Sequence, residues 1–298
     1  MSDLLIRRRN LLMRKQEEEM NIRAVCFRAD GEQTVELVKH NSTASKVFQY
    51  SYDGVTWESW DMSPLPFGGQ TKVYVRGYNN TLGWDASSYA NFVFGTDAYV
   101  YVSGVVESLL DGDNEVLTYD TRGILRQLFY QQTALRSAEN LRFEAQSINN
   151  ISVYALMFDG CINLLYAPKV LPAHNLNGNY CYQYMFRDCK SLVNAPELPA
   201  EALVNGCYQY MFSNCESLVN APELPAEALV DGCYQYMFSN CKSLKSIRCR
   251  AKVKAYNATL SWLNNVSASG TFYGHSEYGW PSGASGIPSD WEFIELTD

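Results

Sequence analysis

Histidine is almost missing from this sequence: His40, His174 and His275 are the three in 298 residues. No His-Glu-x-x-His helix, no Gly-x-Ser-x-Gly elbow and no glycine loop of the kind that cradles phosphate is found. Charge is sparse as well, at 19% Asp, Glu, Lys and Arg, and the formal net charge is -8. A general nucleic-acid binder needs a basic face, and this balance argues against one. The only concentrated positive run is Arg7, Arg8 and Arg9 with Arg14 and Lys15, followed closely by three glutamates at 17–19. Long apolar runs are also lacking, and no stretch approaches the roughly 20 residues of a membrane span. The apolar patches at 4–6 and 11–13 are split by the three arginines, so the start does not read as a secretory signal. No cysteine lies near it to take a lipid. The expectation is a chain that stays where it is made or leaves by another route, such as assembly into a particle released by lysis.

What is present falls into segments. Residues 1–21 contain no Gly or Pro, and Ile6, Met13 and Met20 recur at heptad spacing. This predicts a helix that packs on a partner helix, with a frayed charged leader as the alternative. Over 22–104, short β-rich runs at 35–38, 47–52, 72–76, 92–94 and 99–102 alternate with turn signals. Asp53-Gly54 between two such runs is a hairpin signal. The reading is a small antiparallel β-sandwich, with Trp57, Trp60 and Trp84 shared between core and sheet face.

Residues 105–250 repeat. Cys-Tyr-Gln-Tyr-Met-Phe begins at 181 and returns at 207 and 233, a period of 26, with looser copies near 153 and 124. A unit of this size cannot bury an apolar side alone, so successive units must stack. The expectation is a short leucine-rich-repeat-like α/β solenoid of five units. Each would hold a helical turn at Tyr-Gln-Tyr-Met-Phe, a very short parallel strand, and an extended return forced by prolines such as Pro196 and Pro199. Leu164, Leu192, Leu218 and Leu244 should form one apolar column, and Phe158, Phe186, Phe212 and Phe238 another. Residues 251–298, rich in aromatics, are expected to cap the open end. The fold class is therefore mixed: an antiparallel sandwich, an α/β solenoid and a C-terminal cap.

The candidate chemistry is modest. Cys181, Cys207 and Cys233 define one column, and Cys161, Cys189, Cys215 and Cys241 a second. Seven residues separate the two cysteines of a unit, unlike compact zinc knuckles. Buried free thiols are the leading reading, with disulfides between stacked units and a metal site as alternatives. Glu197, Glu201, Glu223 and Glu227 recur because the repeat does, which marks architecture; a catalytic pair needs one asymmetric cluster. No enzyme activity, cofactor or metal is expected. Each full unit carries two tyrosines: Tyr182 with Tyr184, Tyr208 with Tyr210, and Tyr234 with Tyr236. Two residues apart, both cannot face the core. One column should be buried. The other is a candidate binding strip that stacks on sugar rings or grips a protein, unless it packs under neighbouring loops.

The unit Tyr-x-x-Met-Phe-x-x-Cys-x-x-Leu-x-x-Ala-Pro-x-Leu-Pro-Ala, best in 181–206 and 207–232, resembles the BspA-like leucine-rich repeat family of gut Bacteroidales surface proteins and related phage-borne proteins. The segment Tyr50-Ser-Tyr-Asp-Gly-Val-Thr-Trp57 looks like the immunoglobulin-like domain often placed before such repeats. The segments at 270–273 and 286–291 look like the module that follows them. The resemblance implies a surface protein with a non-catalytic adhesion role, in which the solenoid recognises a glycan or protein surface. The missing export signal raises the alternative of a virion component, fibre- or tail-associated, assembled as a homo-oligomer through residues 1–20.

Overall fold

The computed structural model describes residues 22–297 apart from 42–46, 84, 86, 113–117, 120–121 and 173. The heptad segment 1–21, and with it the expected assembly helix, lies outside the described residues, as does Trp84.

Two sheets form the N-terminal part. The strands are β1 (Val25–Ala29), β2 (Gln33–His40), β3 (Phe48–Ser51), β4 (Glu58–Trp60), β5 (Leu65–Phe67), β6 (Val73–Gly77), β7 (Tyr89–Phe94) and β8 (Val100–Val105). After them come α1 (Ser108–Asp111), β9 (Thr118–Tyr119) and β10 (Leu135–Arg142). One sheet runs β10-β8-β1-β6-β3-β4 and the other β5-β2-β7. Strand β2 shows why they face each other: Gln33, Val35 and Leu37 are buried while the residues between them are not. Phe27 of β1 meets Phe92 of β7 edge-on at 4.8 Å, and Trp60 of β4 stacks on Phe92 at 6.5 Å. Gln33 enters this apolar layer fully bonded. Its amide donates to the carbonyls of Gly95 and Ala98 and accepts from the Thr34 N–H. At the hairpin, the Asp53 carboxylate accepts from Ser51, Val55 and Thr56, which holds its pKa well below the usual carboxylate range.

Strand β10 lies parallel to β8, so the edge of the larger sheet is covered by the chain as it enters the second half. Here the expected α/β leucine-rich-repeat solenoid is corrected. Among the described residues the one α-helix is the four-residue α1, and the 26-residue units contain none. The backbone shows why. Every fourth residue of each aromatic stretch is left-handed: Tyr180, Tyr184 and Asp188 (φ 58°, 60°, 60°), then Gly206, Tyr210 and Asn214, then Gly232, Tyr236 and Asn240. An α-helix needs right-handed φ throughout. The N–H groups divide into two sets instead. Gln183, Met185, Arg187 and Cys189 close turns onto the carbonyl three residues back, while Tyr182, Tyr184, Phe186 and Asp188 donate to Cys207, Gln209, Met211 and Ser213 of the next unit. An isolated helical turn would satisfy few of these donors. The turn ribbon satisfies both sets, which offsets about 1 kcal/mol of strain at each left-handed side chain.

Between the ribbons the chain pairs only in short parallel pieces. Strand β11 (Ser147–Ile148) lies between β9 and β12 (Asn175–Leu176), and single bridges join Ser137 to Tyr166, Tyr166 to Asn194, and Asn220 to Ser246. The strand character gathers at the C-terminal end, where β13 (Ser246–Arg248), β14 (Gly270–Gly274) and β15 (Trp291–Glu295) form a parallel three-stranded sheet. Only the six-stranded sheet mixes parallel and antiparallel pairing, and among the described residues no sheet closes on itself.

Residues 257–265, read from sequence as part of a cap, form a further turn ribbon. Asn257, Ser261 and Asn265 are left-handed, and Tyr234, Tyr236, Phe238 and Asn240 donate to Ala258, Leu260, Trp262 and Asn264. Trp262 is wholly buried, and its indole N–H donates to the Gly286 carbonyl at 2.9 Å.

Candidate binding face

Because the ribbon repeats every four residues along the chain and every 25 to 29 residues between units, side chains fall on a lattice. Three of its inward columns are apolar. Phe158, Phe186, Phe212 and Phe238 stack at 5.2, 5.6 and 5.6 Å. The column continues backwards through Phe129 to Phe92 of the sandwich. Tyr154, Tyr182, Tyr208 and Tyr234 form a second buried stack that ends on Trp262. Leu164, Leu192, Leu218 and Leu244 are wholly buried beside them.

The eight cysteines from Cys161 to Cys249 line the same interior, while Cys26 lies apart on β1 of the sandwich. All nine are buried, and none is in a disulfide. The thiols of Cys161, Cys189, Cys215 and Cys241 donate to the carbonyls of Phe129, Phe158, Phe186 and Phe212 at 3.0–3.1 Å. Burial pushes Cys181 and Cys233 up to about 12, against the pull of nearby backbone N–H groups, and raises Cys161, Cys189, Cys207, Cys215 and Cys241 as well. A thiol so disfavoured as thiolate is a poor nucleophile and a poor metal ligand at neutral pH. Among the described residues no group of three His, Cys, Asp or Glu side chains is placed to hold a metal ion.

Of the six candidate strip tyrosines, Tyr182, Tyr208 and Tyr234 are therefore core. Tyr184, Tyr210 and Tyr236 lie on the flank, half-buried, with ring centroids 4.9 and 4.5 Å apart. Stacking takes both faces of Tyr210, which lies between its two neighbours, and one face each of Tyr184 and Tyr236. The Arg187 guanidinium sits 4.5 Å over the Tyr184 ring. Between its ends, a ladder this closely stacked presents ring edges. Burial, with smaller contributions from the neighbouring tyrosines, raises the Tyr210 hydroxyl above its ordinary pKa.

Beside the tyrosines runs a polar lattice that the sequence reading missed. Gln183 donates to Gln209 and Gln209 to Gln235 through their side-chain amides. Asn265 donates to Asn240, Asn240 to Asn214, and Asn214 to Asp188, at 2.7–2.9 Å. Arg187 forks onto the buried Asp159 of the preceding unit at 2.8 and 2.7 Å. Burial raises the Asp159 carboxyl while the guanidinium draws it back down. The recurrence of Gln and Asn at 26-residue spacing was the available signal. Its meaning depended on knowing that equivalent positions lie one hydrogen bond apart.

Comparison of the chain with protein-family models, with curated proteins and with solved structures finds no match in any of the three. Together with the turn-built, helix-poor second half, this overturns the resemblance to the BspA-like leucine-rich repeat family. Recognition of a glycan or protein through an α/β solenoid is corrected with it, because no such solenoid is formed. The leucine-rich-repeat and solenoid descriptions fall on the same findings. Among the described residues no helix is long and apolar enough to cross a membrane.

Proposed function

We propose that this chain is a non-catalytic architectural protein, a rigid spacer that holds a fixed distance between its N-terminal sheets and its C-terminal sheet. One observation carries the reading. The aromatic stack passes without a break from Phe92 in the sandwich through Phe129, Phe158, Phe186, Phe212 and Phe238 to Trp262 and Trp280. A backbone ladder accompanies it from unit to unit. Close-packed interiors transmit strain and resist bending, so a continuous core is a stiff one. The thiols, the groups most apt for covalent chemistry, are locked away from substrate, which supports a role other than catalysis.

On this reading the spacer works at a cell surface or in a virion, its partner is a protein or carbohydrate surface and not a nucleic acid, and residues 1–20 join copies of the chain. Two measurements test it. Spin labels at Val55→Cys and Tyr256→Cys, both about 80% exposed in the native protein, bracket the stack. A single narrow distance distribution is expected, and a broad one would refute the spacer. Light scattering on the full chain and on a chain lacking residues 1–20 tests assembly: loss of a multimer on truncation is expected, and monomers in both cases would exclude assembly through that segment.

A further inference from the structure

The stack ends on an open strand. In the C-terminal sheet Ile247, Phe272 and Phe293 share one register row across β13, β14 and β15, on the face turned to the core. Ile247 and Phe272 are wholly buried, and the Phe272 ring stacks on Phe293 at 6.3 Å, yet Phe293 is 38% exposed. A core position is left uncovered because β15 is the last strand of its sheet. The outer edge of β15 is bare as well. The Leu296 N–H donates to the Gly274 carbonyl, so by alternation residues 292, 294 and 296 direct their backbone groups to β14, and Trp291, Phe293 and Glu295 direct theirs away. The Trp291 N–H closes on the Pro288 carbonyl, but among the described residues the Phe293 and Glu295 N–H groups have no backbone acceptor. Other edges are guarded. Strand β5 carries Pro66, β4 is three residues long, and the outer side of β7 is taken by the Leu128 carbonyl and the Gln132 side chain. Strand β15 has five residues in unbroken register with β14, with no Pro, no Lys and no bulge.

We infer that a second copy of this chain closes the edge: β15 of one copy pairs antiparallel with β15 of another, about a two-fold axis normal to the sheet and centred on Phe293. The outward groups are self-complementary in that register. Phe293 exchanges two N–H···O bonds with Phe293 of the second copy, and each Glu295 N–H reaches the Trp291 carbonyl opposite. The axis keeps the core faces of both sheets on one side, so the two Phe293 rings meet across the ladder and cover each other. The charges agree. Glu295 lies opposite Trp291 and Glu292 opposite Ile294, so no acid faces an acid. The Glu295 carboxylate is also turned back onto the Ser276 N–H of its own chain at 3.1 Å. A further strand of the same chain would need a crossover to join this parallel sheet, whereas a second copy needs no connection. The product is one continuous sheet of six strands, with the two stacks joined end to end. This goes beyond the spacer reading and rests neither on it nor on residues 1–20, because every pairing group lies in β15.

The test is sedimentation of the full chain at rising concentration. Five residues a side make a small interface, so the mass should double between about 1 and about 200 μM. Phe293→Lys sets two ammonium groups against each other at the axis and should abolish the doubling, with circular dichroism confirming a folded chain. Val55→Lys, an exposed position on the sandwich, should keep it. Phe293→Cys reports the register. Mild oxidation should link it to its twin across the axis, while the nine native thiols, all buried, give the parent no such link. Ile294→Cys faces Glu292 in this register and should link far less. A mass that stays constant would overturn the second copy as occupant and leave the edge to a strand of a different chain. Doubling that persists in Phe293→Lys, or Phe293→Cys linking no better than Ile294→Cys, would overturn the pairing. Because residues 1–20 are intact in every variant, assembly through that segment cannot produce the differences between them.

Discussion

The two halves of this molecule bury aromatic rings by different backbone devices. In the sandwich, antiparallel strands alternate their side chains, and β2 places every second residue in the core. In the stack, turns closed three residues back alternate with bonds to the next unit, and left-handed residues recur every fourth position. The sandwich satisfies its main chain with strands distant in sequence; the stack uses carbonyls of the next unit, 24 to 28 positions further along. The stack therefore depends on each unit matching its neighbour, and a fault in one unit is felt by two others.

That contrast can be broken first by alkali. Eight buried thiols, from Cys161 to Cys249, and the buried Tyr182, Tyr208 and Tyr234 are all raised by burial, and all lie in the stack. A raised folded pKa means that the native state holds protons the unfolded chain gives up. This stability is complete below the ordinary thiol value of 9.0 and is lost as pH rises beyond it. Hydrogen exchange should show the stack losing protection before the sandwich as pH climbs past about 9. Equal loss in both halves would remove the distinction.

A cavity is the next largest effect. Phe186→Ala empties a wholly buried position between two stacked rings and should cost about 3–5 kcal/mol in urea unfolding. The Asp159–Arg187 fork sharpens the comparison, since it ties one unit to the next. Asp159→Ala should cost about 2–3 kcal/mol, less than a fully buried pair because Arg187 is one-third exposed. Two glycines come next. Both are left-handed, but a Cβ at Gly206 would lie 2.3 Å from the Tyr180 ring, whereas at Gly232 it meets nothing closer than 3.5 Å. Gly232→Ala should cost about 1 kcal/mol, and Gly206→Ala visibly more. The smallest effect separates two tyrosines of one column. Tyr182 donates to the Pro172 carbonyl at 2.7 Å, while the buried Tyr234 hydroxyl has no acceptor among the described residues. Tyr182→Phe should cost about 1 kcal/mol and Tyr234→Phe close to nothing.

How much of this was legible beforehand differs between elements. The runs at 35–38 and 92–94 lie within β2 and β7, and the run at 72–76 overlaps β6 over 73–76, because alternation and β-branched residues carry their own signal. The tyrosine pairs were legible as one ring in and one ring out, and the structure assigns Tyr182 to the core and Tyr184 to the flank. The helical turn expected at Tyr-Gln-Tyr-Met-Phe was an error of local reasoning. Five residues of good helix formers are consistent with a helix, but they are too few to make one, and hydrogen bonds to the next unit decided the conformation. The ribbon at 257–265 was hidden because its residues differ from the repeat in type. Asn257, Ser261 and Asn265 keep the four-residue phase without the repeat's letters.

The sequence by itself determined that units recur every 26 residues, which side chains recur with them, and that the thiols and leucines among them belong inside. A periodic chain with one apolar side has to stack to escape water. Only the tertiary structure decided the backbone that does the stacking. The choice between a helical turn and a left-handed turn ribbon depends on where each N–H finds its acceptor. For half of them the acceptor lies in the next unit, out of reach of any local reading.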